Sequence, residues 1–169
     1  MEHPPKWVIE EATRAARKAW CAKDSRGVVV WDDSGRMAST RTFVSAANGP
    51  PPPFKCGGQA ECRAACGKVA GHAEEAALWL WSKRADSLYA VMPPKMLHIK
   101  LENGVAVPGG PPSCVTCSRT MLMAGAAGIW LWLDAEHADG GVPVWRWYGA
   151  VEFHTLSLLH PRNNLPVIR

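Results

Sequence analysis

The sequence predicts an α/β fold in which helices pack on a five-stranded sheet. Two observations support this prediction. Helical and strand patterns alternate in the order α-β-β-α-β-α-β-β-α, and no repeat or interdomain linker interrupts them. A chain of 169 residues can bury a full core, so we expect one domain, 1–169, with its core at about 5–160.

The first half of the chain contains a predicted helix at 5–22, with Pro5 in its first turn. A hairpin follows, in which the turn DDSG joins the strands VVVWD and RTFVSAA. Four consecutive prolines make NGPPPPFKCGG a loop, because proline fits neither a helix interior nor a central strand. The composition is then helical from 60 to 86, and we place the main helix at 72–85.

The second half contains a strand at 96–101, a turn-rich loop ENGVAVPGGPP and a helix at 114–127. The strands GIWLWLD and VPVWRWY come next, and AVEFHTLSLLH forms a closing helix. Only the seven residues AEHADGG join these two strands. A parallel pair needs a crossover of about a dozen residues or more, so we expect the last two strands to be antiparallel.

Composition and charge restrict the class of protein. No apolar run reaches the length of about 18 residues that a transmembrane helix needs, so no membrane contact is expected. The N-terminus carries acids and lacks an apolar segment, which excludes a secretory signal and makes the cytoplasm the expected compartment. The six cysteines then indicate metal binding or catalysis rather than disulfides. The net charge of +4 permits an acidic partner such as nucleic acid, or reflects a surplus of surface arginine.

Two short motifs begin the second and third predicted helices. His72 and Glu74 open the main helix, and Cys114 and Cys117 form a C-x-x-C one helical turn long. The sulfurs face one way, and the dipole at a helix N-terminus favours thiolate. If both helices start at one edge of the sheet, one histidine and two cysteines fill three tetrahedral zinc positions and leave the fourth for water. Glu74 is then free to move a proton of that water.

H-x-E followed by P-C-x-x-C is the signature of zinc deaminases. By these motifs and by the order of elements over 5–160, the sequence resembles the cytidine deaminase-like superfamily. The resemblance implies a three-layer fold, with helices on both faces of a mixed sheet. It also implies one catalytic Zn²⁺ held by His72, Cys114 and Cys117, and Glu74 as the acid/base. The reaction it implies is hydrolytic deamination, in which water adds to the amidine carbon of a base and ammonia leaves.

The sequence departs from the signature at Ser113, which separates Pro112 from the first cysteine. Serine is a good helix N-cap, so we interpret it as a variant of the turn. Ser113 and Ala73 are candidate substrate contacts by their places in the two motifs.

Antiparallel last strands resemble the free-nucleoside cytidine deaminases and the bacterial toxin-type nucleic-acid deaminases. The APOBEC-like, deoxycytidylate and tRNA-adenosine branches place a helix there and run the strands in parallel. The loops at 48–55 and 102–113 are long, and aromatic and basic residues lie near the motifs: Phe54, Lys55, Trp79, Trp81, Lys83 and Arg84. Because a base presented from a strand needs backbone contacts and a stacking partner, these features predict cytosine-to-uracil deamination in single- or double-stranded DNA.

Three alternatives stay open. The stretch ANGPPPPFKC before HAE is similar to the deoxycytidylate deaminase layout, in which Asn48 would contact the sugar of a free nucleotide; otherwise Asn48 is a turn residue before Gly49. RNA is a second substrate class, and a non-catalytic zinc module that kept the fold is a third reading. Toxin-type domains are often the tail of a large secreted protein, whereas Met1 here fits a free-standing bacterial or phage protein. A toxin would be delivered as an effector by other components and would have an immunity protein as partner.

Several other residues have interpretations of their own. Cys56, Cys62 and Cys66 with Cys21 could form a second, structural zinc site, or they are buried thiols. The hairpin of the last two strands is expected to pair two tryptophans from each strand, Trp130, Trp132, Trp145 and Trp147. His98, in a central strand, is expected to be structural.

Overall fold

The computed structural model describes residues 3–21, 24–32, 43–50, 56–57, 70–84 and 92–163. The helices in these ranges are α1 (Lys6–Ala16), α2 (Ala73–Ser82), α3 (Val115–Met123) and α4 (Ala150–Leu159). The strands are β1 (Ser25–Trp31), β2 (Phe43–Ala47), β3 (Lys95–Glu102), β4 (Val105–Val107), β5 (Gly128–Leu133) and β6 (Val144–Gly149). No helix in the described ranges has the length and apolarity needed to cross a membrane. The predicted turn at 33–35 and the helical stretch at 60–69 lie outside the described residues.

The sheet has the strand order β2-β1-β3-β5-β6. β1 pairs antiparallel with both β2 and β3, and β3 pairs parallel with β5. The crossover between β3 and β5 includes α3. β5 pairs antiparallel with β6, as the short link between them predicts. The mixed sheet with an antiparallel last pair is therefore confirmed.

A sixth strand, β4, adds to the predicted five. The prediction of a loop at ENGVAVPGGPP is wrong for Val105–Val107, which pairs antiparallel with the end of β3. Glu102 and Val105 are register partners, so only Asn103 and Gly104 form the turn. Their φ angles of 52° and 78° are those of a tight hairpin turn, for which Asn-Gly is a strong sequence signal. The signal was present in the sequence.

Helices cover both faces of the sheet, which confirms the three-layer prediction. One core lies between the sheet and the helices α2, α3 and α4, and its buried residues include Val28, Val30, Ala77, Met96, Met121 and Phe153. The other core lies between the sheet and α1, and its buried residues include Val8, Ala12, Val29, Leu97 and Trp130. The functional motifs lie on the first of these faces, because α2 and α3 follow His72 and Cys114 directly.

α1 packs closely on β1 at Gly27. A Cβ atom at this position would lie 2.1 Å from the carbonyl oxygen of Ala12 and 2.6 Å from the backbone nitrogen of Ala16. The helix is shorter than the predicted 5–22, since its regular hydrogen bonding ends near Ala16. The N–H of Trp20 instead donates to the carbonyl of Asn48 at 3.2 Å. The chain thus leaves the helical path to contact the loop after β2.

The tryptophans of β5 and β6 form the two expected cross-strand pairs. The ring centroids of Trp130 and Trp147 are 5.6 Å apart, and those of Trp132 and Trp145 are 5.8 Å apart. Trp130 is buried in the α1 core, against which Trp145 and Trp147 pack. These indoles therefore help to hold the antiparallel pair in register.

Candidate active site

The site forms where two helices begin side by side. α2 starts directly after His72, whose backbone N–H donates to the Glu75 carboxylate at 3.2 Å. α3 starts directly after Cys114, whose sulfur accepts the backbone N–H of Cys117 at 3.2 Å. Both interactions satisfy polar groups that a helix N-terminus leaves without an intrahelical partner. They also hold the side chains of His72 and Cys114 at the helix starts.

Three potential metal ligands converge at this point. Nδ1 of His72 lies 3.0 Å from the sulfur of Cys117 and 3.2 Å from the sulfur of Cys114. The two sulfurs are in contact with each other, and all three atoms lie within 4.8 Å of one another. One imidazole nitrogen and two thiolates are the donors that zinc prefers. The residues therefore fit a zinc ion by the chemistry of their donor atoms.

The three ligand residues differ in their exposure to solvent. His72 is exposed, Cys114 is half-buried and Cys117 is buried. A cation held by three such ligands would have solvent on the His72 side, where a fourth position could take a water molecule. The same arrangement keeps the Cys117 sulfur shielded.

Glu74 lies two residues beyond His72, at the start of α2, and it is 8% exposed. Its Oε1 atom lies 4.0 Å from Nε2 of His98. The neighbouring Ala73 is fully buried, whereas Ser113 is half-buried and its carbonyl accepts a hydrogen bond from the Asn163 amide at 3.0 Å. The substrate contacts of Ala73 and Ser113 stay predictions.

His98 is the residue of this site that the sequence argument missed. It lies in β3 with Val28 and Leu131 as its register partners, and Nε2 is buried without a hydrogen-bond partner among the described residues. Burial lowers the pKa of His98, and the Glu74 carboxylate opposes this effect. The imidazole is therefore neutral at pH 7. The available signal was strand alternation, which places His98 on the same face as the buried Met96.

Asn48 adjoins the site but is held by other groups. Its Oδ1 accepts the N–H of Arg26 at 2.8 Å, and its Nδ2 donates to the carbonyl of Asp24 at 3.1 Å and to its carboxylate at 3.2 Å. Gly49 and Gly71 exchange backbone hydrogen bonds of 3.2 Å and 3.0 Å, which connects the Asn48 loop to the residue before His72. The predicted sugar contact stays a prediction, and the amide already has a structural role.

α3 is also held from its far side. The hydroxyl of Ser118, which follows Cys117 and is fully buried, lies 2.9 Å from Nδ1 of His154 on α4. The same hydroxyl donates to the carbonyl of Val115 at 2.9 Å. This polar contact joins α3 to α4 and gives His154 a partner within the fold.

The other predicted residues are only partly described. For the second zinc site, Cys21 is buried and Cys56 is half-buried, while Cys62 and Cys66 lie outside the described residues. Within the described ranges, the only group of three or more candidate ligands is the one at His72. The second site therefore stays a prediction, as do the contacts of Phe54 and Lys55, which are also outside the described ranges.

No family model and no curated protein matches the sequence. Solved structures do resemble this fold. A cytidine deaminase from Burkholderia pseudomallei matches it with a TM-score of 0.51 and 17% identity, over 90% of this chain and 96% of that chain. The chain has a cytidine deaminase-like fold. The dCMP deaminase of the cyanophage S-TIM5, in apo form, matches with a TM-score of 0.50 and 17% identity, over 73% of this chain and 78% of that chain.

Proposed function

We propose that the protein is a zinc-dependent hydrolytic deaminase that converts cytosine to uracil in DNA. The observation that carries the proposal is the convergence of the His72 nitrogen with two cysteine sulfurs, at the start of a helix that also contains the buried Glu74. Three protein ligands with an open side are typical of catalytic zinc, whereas structural zinc is closed by four. A carboxylate two residues beyond the histidine ligand supports the proposal, because hydrolysis needs a group for proton transfer.

The chemistry follows from these positions. A zinc ion held by His72, Cys114 and Cys117 would lower the pKa of a bound water and so supply the nucleophile for the attack. Glu74 would take a proton from this water, pass it to the ring nitrogen of cytosine and then protonate the leaving amine. A C–O bond forms at the amidine carbon and the C–N bond to the amine breaks. Water and cytosine thus become uracil and ammonia.

We favour DNA as the substrate because α2 exposes an aromatic side chain next to a basic one. Trp79 is 61% exposed, and the Lys83 ammonium lies 5.6 Å from its ring centroid. An exposed indole can stack on a base while a neighbouring lysine contacts phosphate. Trp81 does not take part, since it is 6% exposed and belongs to the core. Its assignment to the nucleic-acid contacts is corrected to core packing, as the helical period from Ala77 also predicts.

A free nucleotide is the second candidate substrate. The two similar solved structures are named as deaminases of cytidine and of dCMP. The Asn48 loop is joined to the start of α2 through Gly49 and Gly71, which supports a contact between Asn48 and the sugar of a small substrate. RNA is the third candidate substrate.

The test is nucleoside mass spectrometry on zinc-loaded protein. Single-stranded DNA, double-stranded DNA, RNA, dCMP and cytidine are incubated in separate reactions, with Glu74→Ala as the inactive control. We expect deoxyuridine from DNA, and the ratio of the two DNA reactions gives the strand preference. Product from dCMP or cytidine alone would replace DNA by the free nucleotide, and product from RNA alone would replace it by RNA. If the zinc-loaded protein yields no product from any of these substrates, the proposed deaminase function is refuted.

The DNA contact has its own matched variants. Lys83→Ala is expected to raise KM for DNA about tenfold at low salt and to leave kcat unchanged, because phosphate contacts contribute to binding. Lys6 on α1 is the control, since its side chain is 91% exposed and α1 lies on the opposite face of the sheet. Equal effects of Lys83→Ala and Lys6→Ala would show only a general charge effect and would count against DNA binding along α2.

A further inference from the structure

We propose that His98 is a positioning residue that holds the Glu74 carboxylate through its Nε2 atom. The inference rests on the proposed deaminase function and adds a residue outside its two sequence motifs. Two observations support it. Nε2 is buried and lacks a hydrogen-bond partner among the described residues, and it lies 4.0 Å from Oε1 of Glu74.

An unpartnered buried nitrogen needs a physical reason. Buried polar groups almost always have a hydrogen-bond partner, because a buried group without one lowers the stability of the fold. The register partners of His98 are the apolar Val28 and Leu131, so an apolar side chain would suit the position. A histidine here is therefore explained better by what Nε2 faces than by packing.

The distance fits a contact that closes when the site is complete. At 4.0 Å the two atoms are too far apart for a hydrogen bond. In ligand-free sites, catalytic hydrogen bonds are often long and tighten only when the reacting groups are bound. A shift of about 1 Å by the flexible Glu74 side chain would bring Oε1 within reach of Nε2. Its second oxygen would then remain available for the proton transfer that the proposed function assigns to Glu74.

The charges around His98 leave Glu74 as its partner. Glu74, Arg26, Asp24 and His72 all act on it electrostatically. Arg26 donates to the Asp24 carboxylate at 3.0 Å through two guanidinium nitrogens, so these two charges already satisfy each other. The neutral imidazole has one N–H, which in the Nε2 tautomer would be donated to the Glu74 carboxylate. Without this contact, the carboxylate would be free to sample other rotamers around its three side-chain torsions.

Two substitutions separate positioning from packing. In His98→Gln, the amide nitrogen takes the place of Nε2, whereas His98→Leu keeps the size and removes the polar atom. We expect His98→Leu to lower kcat about 10- to 100-fold, because a misplacement of about 1 Å has effects of this size. KM and zinc content should stay unchanged, and His98→Gln should recover most of kcat. Met96→Leu, two residues away on the same buried face, is the matched packing control.

The outcomes discriminate between the two roles. Full kcat in zinc-loaded His98→Leu would overturn the proposal. Equal losses in His98→Leu and His98→Gln, with lowered thermal stability in both, would assign His98 to packing alone.

A second measurement needs no turnover. In zinc-loaded protein labelled with ¹⁵N at histidine, the ring nitrogen resonances report the tautomer and hydrogen bonding of each imidazole. We expect Glu74→Gln to shift the Nε2 resonance of His98, while Glu152→Gln on α4, which is exposed, leaves it in place. An unmoved resonance in Glu74→Gln would overturn the contact. If no cytosine substrate is deaminated but the resonance moves, the proposed function fails and the contact between His98 and Glu74 stands.

Discussion

Replacing His98 with leucine is expected to raise the free energy of unfolding of the zinc-free protein, in which Nε2 and the Glu74 carboxylate stand 4.0 Å apart. Nε2 is buried without a hydrogen-bond partner among the described residues, and His98 as a whole is 9% exposed. An unsatisfied buried polar group costs about 1–3 kcal/mol, and leucine of similar volume removes this cost. For a chain of this size, 1 kcal/mol corresponds to roughly 2–4 °C in Tm. The expected rise in Tm is therefore roughly 2–12 °C.

The stability difference between His98→Leu and the wild-type protein should also change with pH in a defined direction. The pKa of His98 is lowered by burial from its usual value near 6.5. Below that value, the unfolded chain binds a proton at His98 that the folded protein does not bind. Wild-type stability therefore falls as the pH drops through this range, by at most about 1.4 kcal/mol per pH unit for one proton. His98→Leu lacks this loss, so its stability advantage should grow toward acid pH.

Urea unfolding of zinc-free protein at pH 7.5 and pH 5.5 measures both effects. The charged groups that act on His98, namely Glu74, Arg26, Asp24 and His72, are present in both proteins, so the difference between the two proteins isolates the contribution of His98. A less stable His98→Leu protein at pH 7.5 would refute the view that Nε2 is an unsatisfied group. An advantage that stays constant between the two pH values would refute the view that the folded imidazole is neutral.

Three further predictions test the site and the fold. Glu74→Ala should keep its zinc, measured by elemental analysis, while ammonia release falls at least about 100-fold because the proton carrier is lost; retained turnover would remove Glu74 from the mechanism. Cys117→Ser, at a fully buried position, should lose zinc and lower Tm, because metal binding is coupled to folding; an unchanged zinc-to-protein ratio would contradict the ligand set. Gly27→Ala should destabilise the fold by about 1–3 kcal/mol in urea unfolding, because its Cβ would lie 2.1 Å from the Ala12 carbonyl; an unchanged midpoint would mean that α1 does not pack on β1 as closely as described.

Most of the fold could be predicted because its signals are local. The helical and strand periods specify where α2, α3 and the central strands lie, and the seven-residue link determines that β5 and β6 are antiparallel. The Asn103–Gly104 turn before β4 could also have been predicted from its Asn-Gly pair, but the prolines and glycines that follow led to the prediction of a loop. The end of α1 could not be predicted from the local sequence. The residues after it instead contact another segment, through the hydrogen bond from the Trp20 N–H to the Asn48 carbonyl.

The candidate site also has features that the sequence predicted and features that it did not. The positions of His72 and Cys114 before their helices follow from two motifs, and a sheet with short connections brings such helix starts together. The partners of Asn48 did not follow from the sequence. An Asn-Gly pair predicts a turn, but its bonds to Arg26 and Asp24 exist only once β1 and the end of β2 are paired.

The sequence by itself determined the fold class, the antiparallel last strands and the ligands proposed for zinc, because each depends on residue type and spacing along the chain. Only the tertiary structure decided that Trp79 is exposed while Trp81 is buried, and that His98 faces Glu74 across 4.0 Å. The physical reason is that burial and register depend on several segments at once. Whether one imidazole nitrogen finds a partner is a property of the packed strands and helices around it, and no local pattern encodes it.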